Sequence, residues 1–366
     1  MNPIKISICI ATRNRGAFIG ATLESIIEQA TDEVEIVVLD GASTDNTEEV
    51  VHGYQQRFPR LRYFRQQAAM GVDRDFATVV DLADGEYCWL FCDDDLFKPG
   101  AIQIVLDAIR DGYALIIVNS EVRNANLSTL LQPRRWLPTM DRIYESNESD
   151  LLFADVGDCL TFIGGVIIKK KLWVTREKER YFGSLFVHVG VIFQQPLPED
   201  ALMIANPLIS IRYGNASWLA KTFEIWMFKW PSLVWSFANF PESVRCRVCD
   251  KEPWRNPKRL LYYRATGAYT KREYRELLKE RLESPWAQFV SGAIAHLPGR
   301  IANLIVSIYY MVVQSPSEHG VSLSDLKNGP FCFWKLPTKH RTAFQQQPVM
   351  STGSQRPSSA SNRTNL

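Results

Sequence analysis

Three apolar, β-forming runs in this chain each end in a polar cluster, and helical spacing follows each of them. Residues 6–10 lead into Thr12-Arg13-Asn14-Arg15, residues 35–40 close on Asp40, and residues 87–92 run straight into Asp93-Asp94-Asp95. Between them, Phe18, Leu23, Ile26 and Ile27 mark one helical face, Ser43 to Thr47 supply capping residues for a second helix, and 76–83 reads as a third. Strand and helix alternate, so the expected class is α/β with a mostly parallel, Rossmann-like sheet. Ligands of such sheets bind beyond the carboxyl ends of the strands. Three polar strand ends therefore predict one site along one edge.

Further extended runs are expected at 114–119 and 162–168, with a pair of them in 201–213. From Trp218 the character changes. Trp218, Trp226, Trp230 and Trp235 crowd together with Phe223, Phe228, Phe237 and Phe240, and a mainly helical region is expected over 216–313. Residues 341–366 hold no acid and are rich in Ser, Gln, Pro and Asn, a composition that predicts disorder. The expected organisation is a catalytic domain at 1–215, a helical, aromatic and basic region at 216–340, and a disordered tail at 341–366.

Charge narrows the partners. Lys plus Arg (42) nearly balances Asp plus Glu (40), which argues against a nucleic-acid binder. The balance hides an asymmetry: residues 1–100 hold 17 acids against 9 bases, and residues 245–281 hold 12 bases against 5 acids. The seven cysteines are scattered through apolar stretches and form no disulfide framework, so a reducing cytoplasm is expected. Cys246-Arg-Val-Cys249 has no second pair and no nearby His, and reads as two idle or buried thiols. The N-terminus lacks a basic region and cleavage site, so no signal peptide is expected. The apolar stretch 289–313 is interrupted by His296, Pro298, Arg300 and Asn303, which argues against a spanning helix.

Adjacent carboxylates at a buried strand end repel one another, and a divalent cation removes that cost. Mg²⁺ or Mn²⁺ held by one or two carboxylates and a diphosphate is one reading of Asp93, Asp94 and Asp95. An acidic turn or helix cap ahead of 101–110 is the other.

Ser7-Ile-Cys-Ile-Ala-Thr-Arg-Asn-Arg15, Val38-Leu-Asp-Gly-Ala-Ser-Thr-Asp-Asn-Thr47 and Gly85-Glu-Tyr-Cys-Trp-Leu-Phe-Cys-Asp-Asp-Asp95, followed by Pro99-Gly100, resemble the successive signatures of inverting glycosyltransferase family 2, of the GT-A fold. Gly71-Val-Asp-Arg-Asp75 and the triple Asp are similar to abequosyltransferase-like enzymes of O-antigen assembly. The resemblance implies that Thr12 and Arg13, with Arg15 beside them, touch the donor nucleotide and that Asp40 accepts a hydrogen bond from its base. Asp94, with Asp93 or Asp95, would be the metal-binding pair, and Asp93 would also border the donor. Two positions depart from the family: Gly41 stands where a second acid is usual, and Cys92 stands where the first acid of the metal motif is usual. Asp73, Arg74 and Asp75 fall where the family lines its donor pocket, Arg74 for a phosphate and Asp75 for a sugar hydroxyl, with an ordinary charged helix cap as the alternative.

Inverting transfer needs a base for the acceptor hydroxyl. The family's Glu-Asp pair is missing from Gly183-Ser-Leu-Phe-Val-His188, so His188 is the expected base, a core or metal-bound histidine the alternative, and Asp158 the second candidate. Arg212 and Trp218, in Arg212-Tyr-Gly-Asn-Ala-Ser-Trp218, are expected to neutralise the leaving group and to stack on sugar or base. The aromatic run 218–240, the basic segment and the stripe Ile301, Leu304, Ile305, Ile308, Val312 predict contact with a membrane surface, which suits a lipid-linked glycan acceptor and a peripheral place at the cytoplasmic face of the inner membrane. Core packing explains the stripe equally well. The rival functions are a nucleotidyltransferase, for which the Gly-rich loop after the first strand is missing, and an inactive nucleotide-sugar-binding relative; no GxGxxG favours an NAD enzyme.

Overall fold

The chain, seen here as a computed structural model, is described over residues 3–215, 221–313 and 319–333. The first apolar run forms β1 (Ile6–Thr12), and β2 (Val34–Asp40), β3 (Leu61–Arg65) and β4 (Tyr87–Phe91) lie parallel to it in the order β3-β2-β1-β4. β1 and β2 pair along their full length, from Ile6 against Val34 to Thr12 against Asp40. That register sets two of the polar strand ends side by side.

The two-residue period of the strands assigns the helices to faces. Ile6, Ile8 and Ile10 share a core with Ile19, Leu23 and Ile26 of α1 (Gly16–Ile27), beside which lies α2 (Thr47–Gln55). Cys9, Val37 and Leu39 point the other way and pack with Phe76, Val79 and Val80 of α3 (Val72–Leu82). A helix over each face leaves the strand ends as the open edge.

The sheet continues through β5 (Leu96–Phe97), β6 (Leu115–Arg123), β9 (Val166–Lys169) and β10 (Ala201–Arg212), in the order β4-β9-β6-β10-β5; β7 (Leu130–Gln132) pairs with β6 and β8 (Arg142–Tyr144) with β10. β6 and β10 are parallel neighbours, but β9 runs antiparallel to both β4 and β6. The reversal follows two tight 3₁₀ turns, Cys159–Thr161 and Ile163–Gly165, the second of which takes residues expected to be strand. The pair of runs expected in 201–213 is one strand whose register shifts around Pro207, where a missing N–H interrupts the ladder. α4 (Ala101–Ile109) starts behind Gly100, whose φ of 81° needs the absence of a Cβ. α5 (Ser149–Val156), α6 (Lys170–Thr175) and α7 (Val187–Phe193) complete the α/β part.

From Thr222 the chain is helical. Thr222–Glu224, a π-helical Ile225–Lys229 and Trp230–Ser236 run on from one another, and Glu242–Val248, Pro257–Thr266, Pro285–His296, Gly299–Val313 and Gly320–Asn328 follow. The aromatic run is core rather than surface: Phe237 and Phe240 pack on Phe153 and Phe193, and Phe223 stacks on Tyr269. Burial of Phe237 and Phe240 against Phe153 and Phe193 joins the helical region to the α/β core and leaves these rings, and the buried Phe223, no contact with lipid. Among the described residues no single helix is long and apolar enough to cross a membrane, and Pro285–His296 is bent by 99° from its successor. Cys249 is buried and Cys246 exposed, both free thiols. The 341–366 tail lies outside the described residues.

Candidate active site

Asp93, Asp94 and Asp95 leave the end of β4 and are all buried. Burial pushes the Asp93 carboxyl up to about 7; repulsion from Asp94 adds to this, and Arg15 and Thr12 oppose it. Burial likewise raises Asp94, against Arg15, Asn215 and Arg212, and raises Asp95 well above the carboxylate range, with Asp94 and Asp93 adding to it. The chain has thus enclosed more negative charge than it neutralises. Cys92, Asp94 and Asp95 offer ligand atoms within 4.8 Å of one another. Burial pushes the Cys92 thiol well up, so sulfur is a poor ligand for a hard cation, whereas the carboxylate oxygens of the triplet fit Mg²⁺ or Mn²⁺.

Two guanidinium groups face this acid. Arg15 sits 3.3 Å from Asp93 and 3.4 Å from Asp94, and donates to the Asn215 carbonyl. Arg212, at the end of β10, donates its backbone N–H to the Asp95 carboxylate (2.8 Å) and its Nε–H to the Asp94 carbonyl (2.9 Å). Both guanidinium groups lie over the ring of Phe18, 5.4 Å from its centre. Held by backbone and by a shared aromatic ring, they keep N–H donors for a polyanion brought to the acids.

The other expected donor residues divide. Thr12 is buried beside Asp93, and Arg13 is exposed next to Asp75. Asp75 Oδ1 is buried without a hydrogen-bond partner, and burial raises its carboxyl. Asp75 Oδ2 would lie 3.2 Å from a Cβ added at Gly41, so the glycine leaves room for a carboxylate brought in from α3. Asp40 is already engaged, accepting from the Ser43 N–H (2.7 Å) and the Tyr63 hydroxyl (2.7 Å), and it thereby shapes the loop after β2. Asp73 accepts from the backbone N–H groups of Gly183, Leu185 and Val187. These bonds fix the loop ahead of α7. Arg74 lies over the ring of Phe182, 4.7 Å from its centre. Trp218 lies outside the described residues.

His188 is not brought to the site. Its ring is 1% exposed inside α7, Nε2–H donates to the Leu160 carbonyl (2.6 Å), and burial lowers its pKa to about 4. A general base must come within hydrogen-bond reach of the acceptor hydroxyl, which a sealed ring does not do. Asp158 is exposed at the turn before β9, and surrounding protein raises its carboxyl against the pull of Arg135 and Arg259. β9 starts at Val166, paired with Leu90 near the end of β4, so the turn before it lies toward the edge that carries the acid cluster.

Residues 7–169, which hold the strand ends and the triple Asp, match the family described as Glycosyl transferase family 2. The chain carries a glycosyl transferase family 2 domain. The domain's relatives include the abequosyltransferase RfbV of Salmonella typhimurium, 29% identical over 230 residues that span 59% of this chain and 69% of the relative. The GalNAc(5)-diNAcBac-PP-undecaprenol beta-1,3-glucosyltransferase of Campylobacter jejuni is 26% identical over 60% of this chain and 74% of its own length. In fold, the chain is similar to Staphylococcus aureus TarS 1-349 in complex with UDP-GlcNAc, with a TM-score of 0.52 and 12% identity over 88% of this chain and 92% of that one. The sheet, its helices and this likeness give the domain a GT-A-like architecture.

Several residues that build this cluster carry no signal of it in the sequence. Phe18 reads as one more apolar residue of α1, yet it orients Arg15 and Arg212 together. Ser43 reads as a cap and Tyr63 lies on β3, yet both hold Asp40. Asn215 carries no motif, and only the return of β10 to the strand ends puts it beside Arg15 and Asp94.

Proposed function

We propose that this chain is an inverting, cation-dependent transferase that moves a hexosyl or deoxyhexosyl group from a nucleotide diphosphate sugar to a lipid-linked glycan in surface polysaccharide or O-antigen synthesis, working at the cytoplasmic face of the inner membrane. One observation carries it: three buried carboxylates with raised pKa share an edge with two oriented guanidinium groups, an arrangement complete only with a cation and a polyanion. Asp94, with Asp93 or Asp95, would hold Mg²⁺ or Mn²⁺, which when bound supplies positive charge to the departing diphosphate. Arg15 and Arg212 donate to the phosphate oxygens, Thr12 and Arg13 seat the nucleoside beside the loop that Asp40 shapes, and Asp75 accepts from the donor. Asp158, exposed and more basic than an ordinary carboxylate, takes the proton of the attacking hydroxyl. The undecaprenol named in the Campylobacter relative supports a lipid-linked acceptor.

Thermal stabilisation by UDP, CDP, GDP and dTDP sugars with Mn²⁺ tests the donor; a matched one at 100 times its Kd raises stability by about 2.7 kcal/mol. Asp158→Asn should cut transfer by ~10²–10⁴ with that stabilisation retained, whereas His188→Asn should lower the melting temperature instead. Absence of stabilisation by all four donors sinks the reading. Release of pyrophosphate from a nucleoside triphosphate and a sugar phosphate points to a nucleotidyltransferase, and binding without turnover to an inactive relative.

A further inference from the structure

The helix Gly299–Val313 is packed inside-out. Its inward residues are Ala302, Asn303, Val306 and Ser307, while Ile301, Ile305, Ile308 and Val312 face outward, Val312 at 77% exposure. Helices of soluble domains normally turn the aliphatic stripe to the core. Here the inward polarity is engaged: Asn303 Nδ2 donates to the Ala265 and Leu326 carbonyls, and its Oδ1 accepts from the Phe333 N–H. Rotating the helix to bury its isoleucines would break all three bonds. The preceding helix does the same, burying Ser291 and Ala295 and leaving Trp286 and Phe289 71% and 65% exposed, stacked with ring centres 5.6 Å apart.

Charge around this apolar surface is mostly positive. Residues 285–313 hold no Asp or Glu, and residues 257–313 hold nine Lys and Arg against four Glu. Pro257–Thr266 packs on both apolar helices, and the basic segment reaches Pro285–His296 through the Tyr274 hydroxyl, which donates to the Gln288 carbonyl. Aromatic rings favour the headgroup boundary of a bilayer, aliphatic side chains its acyl region, and bases its anionic phosphates.

We propose that this face docks the protein on an anionic lipid bilayer, with Trp286, Phe289, Ile301, Ile305, Ile308 and Val312 entering the boundary between headgroups and acyl chains. A second copy of this chain is the poorer occupant, because face-to-face pairing would bring two basic regions together, whereas anionic lipid neutralises them. The docking face deepens the lipid-linked acceptor reading by naming the surface that meets the lipid.

The test is flotation of the purified full chain with vesicles of phosphatidylethanolamine and phosphatidylglycerol, and with phosphatidylcholine alone. Binding to the anionic vesicles is expected, weaker by at least ~10-fold on phosphatidylcholine and for Ile305→Glu/Ile308→Glu. Trp286→Ser/Phe289→Ser, on the other helix, should weaken it in the same direction, and the melting temperature of both variants should stay that of the parent because all four residues are exposed. Failure of the parent to float, or unchanged flotation of both variants, overturns the proposal. So does a parent dimer in sedimentation equilibrium that these substitutions dissociate, which would assign the face to a second copy. Flotation that persists in a protein no nucleotide sugar stabilises supports the docking face and removes the transferase reading alone.

Discussion

The strand-end cluster and the C-terminal pair of helices both reverse the usual sorting of residues, in opposite ways. At the strand ends, charge lies inside, and its own chain leaves it incompletely neutralised: Asp93 is held near pKa 7 despite Arg15. Under Gly299–Val313 polarity also lies inside, but every polar atom of the Asn303 side chain has a partner. Buried charge without compensation is a demand for a ligand. Buried polarity that is fully bonded fixes the orientation of a helix, and so makes the apolar exterior above it a built feature rather than loose packing.

Function should separate the two regions most strongly. Asp94→Ala should lower transfer by at least ~100-fold, as when the principal charge stabiliser of a leaving group is lost, and EDTA should abolish it. The variant should nonetheless fold, because it removes a charge that burial disfavours. Turnover with and without Mn²⁺ checks this; full activity in EDTA would end the comparison on the site's side.

Stability should move the other way at the same cluster. An acid whose folded pKa is about 7 against an ordinary 3.8 binds its proton more tightly folded than unfolded. Its contribution to stability is therefore present below pH 3.8 and lost as pH rises through about 7, a swing on the order of 4 kcal/mol. In EDTA at pH 8, Asp93→Asn should melt higher than the parent, and the gap should close toward pH 4. Millimolar Mg²⁺ or Mn²⁺ should also narrow it, since the cation offsets the charge that the substitution removes. A gap independent of pH would mean that Asp93 is not the strained group.

Much of the site can be read from the sequence because strand ends advertise themselves. Residues 12–15, 40 and 93–95 follow apolar runs that must be strands, and parallel pairing brings them abreast. Direction does not show in composition, so β9, which reads the same either way along its apolar run, is found reversed. Asp73 and Asp75 lie two apart on one helix, and nothing local tells that Asp73 ties down a loop more than a hundred residues away while Asp75 keeps a bare oxygen. His188 lies in an apolar run, which is also what a core histidine looks like; only its bond to Leu160 decides. The stripe Ile301, Ile305, Ile308 has the helical period, but a period defines a face without saying which way it turns.

The smallest expected effect tests what fixes that turn. Hydropathy alone predicts that Asn303→Leu should stabilise a buried position. The bonding predicts a loss of ~1–3 kcal/mol, because leucine removes the amide that donates to the buried Ala265 and Leu326 carbonyls and the oxygen that accepts from the Phe333 N–H. Those groups belong to three different stretches of the C-terminal region, so the loss should appear as earlier melting of that region by hydrogen exchange, with nucleotide-sugar stabilisation of the strand-end site retained. Ile305→Glu is the matching control: it places a charge in the aliphatic stripe, yet at an exposed position it should change stability by no more than about 0.5 kcal/mol. If leucine at 303 stabilises and glutamate at 305 destabilises, the helix is packed with its isoleucines inward, and the contrast between the two regions fails at its second half.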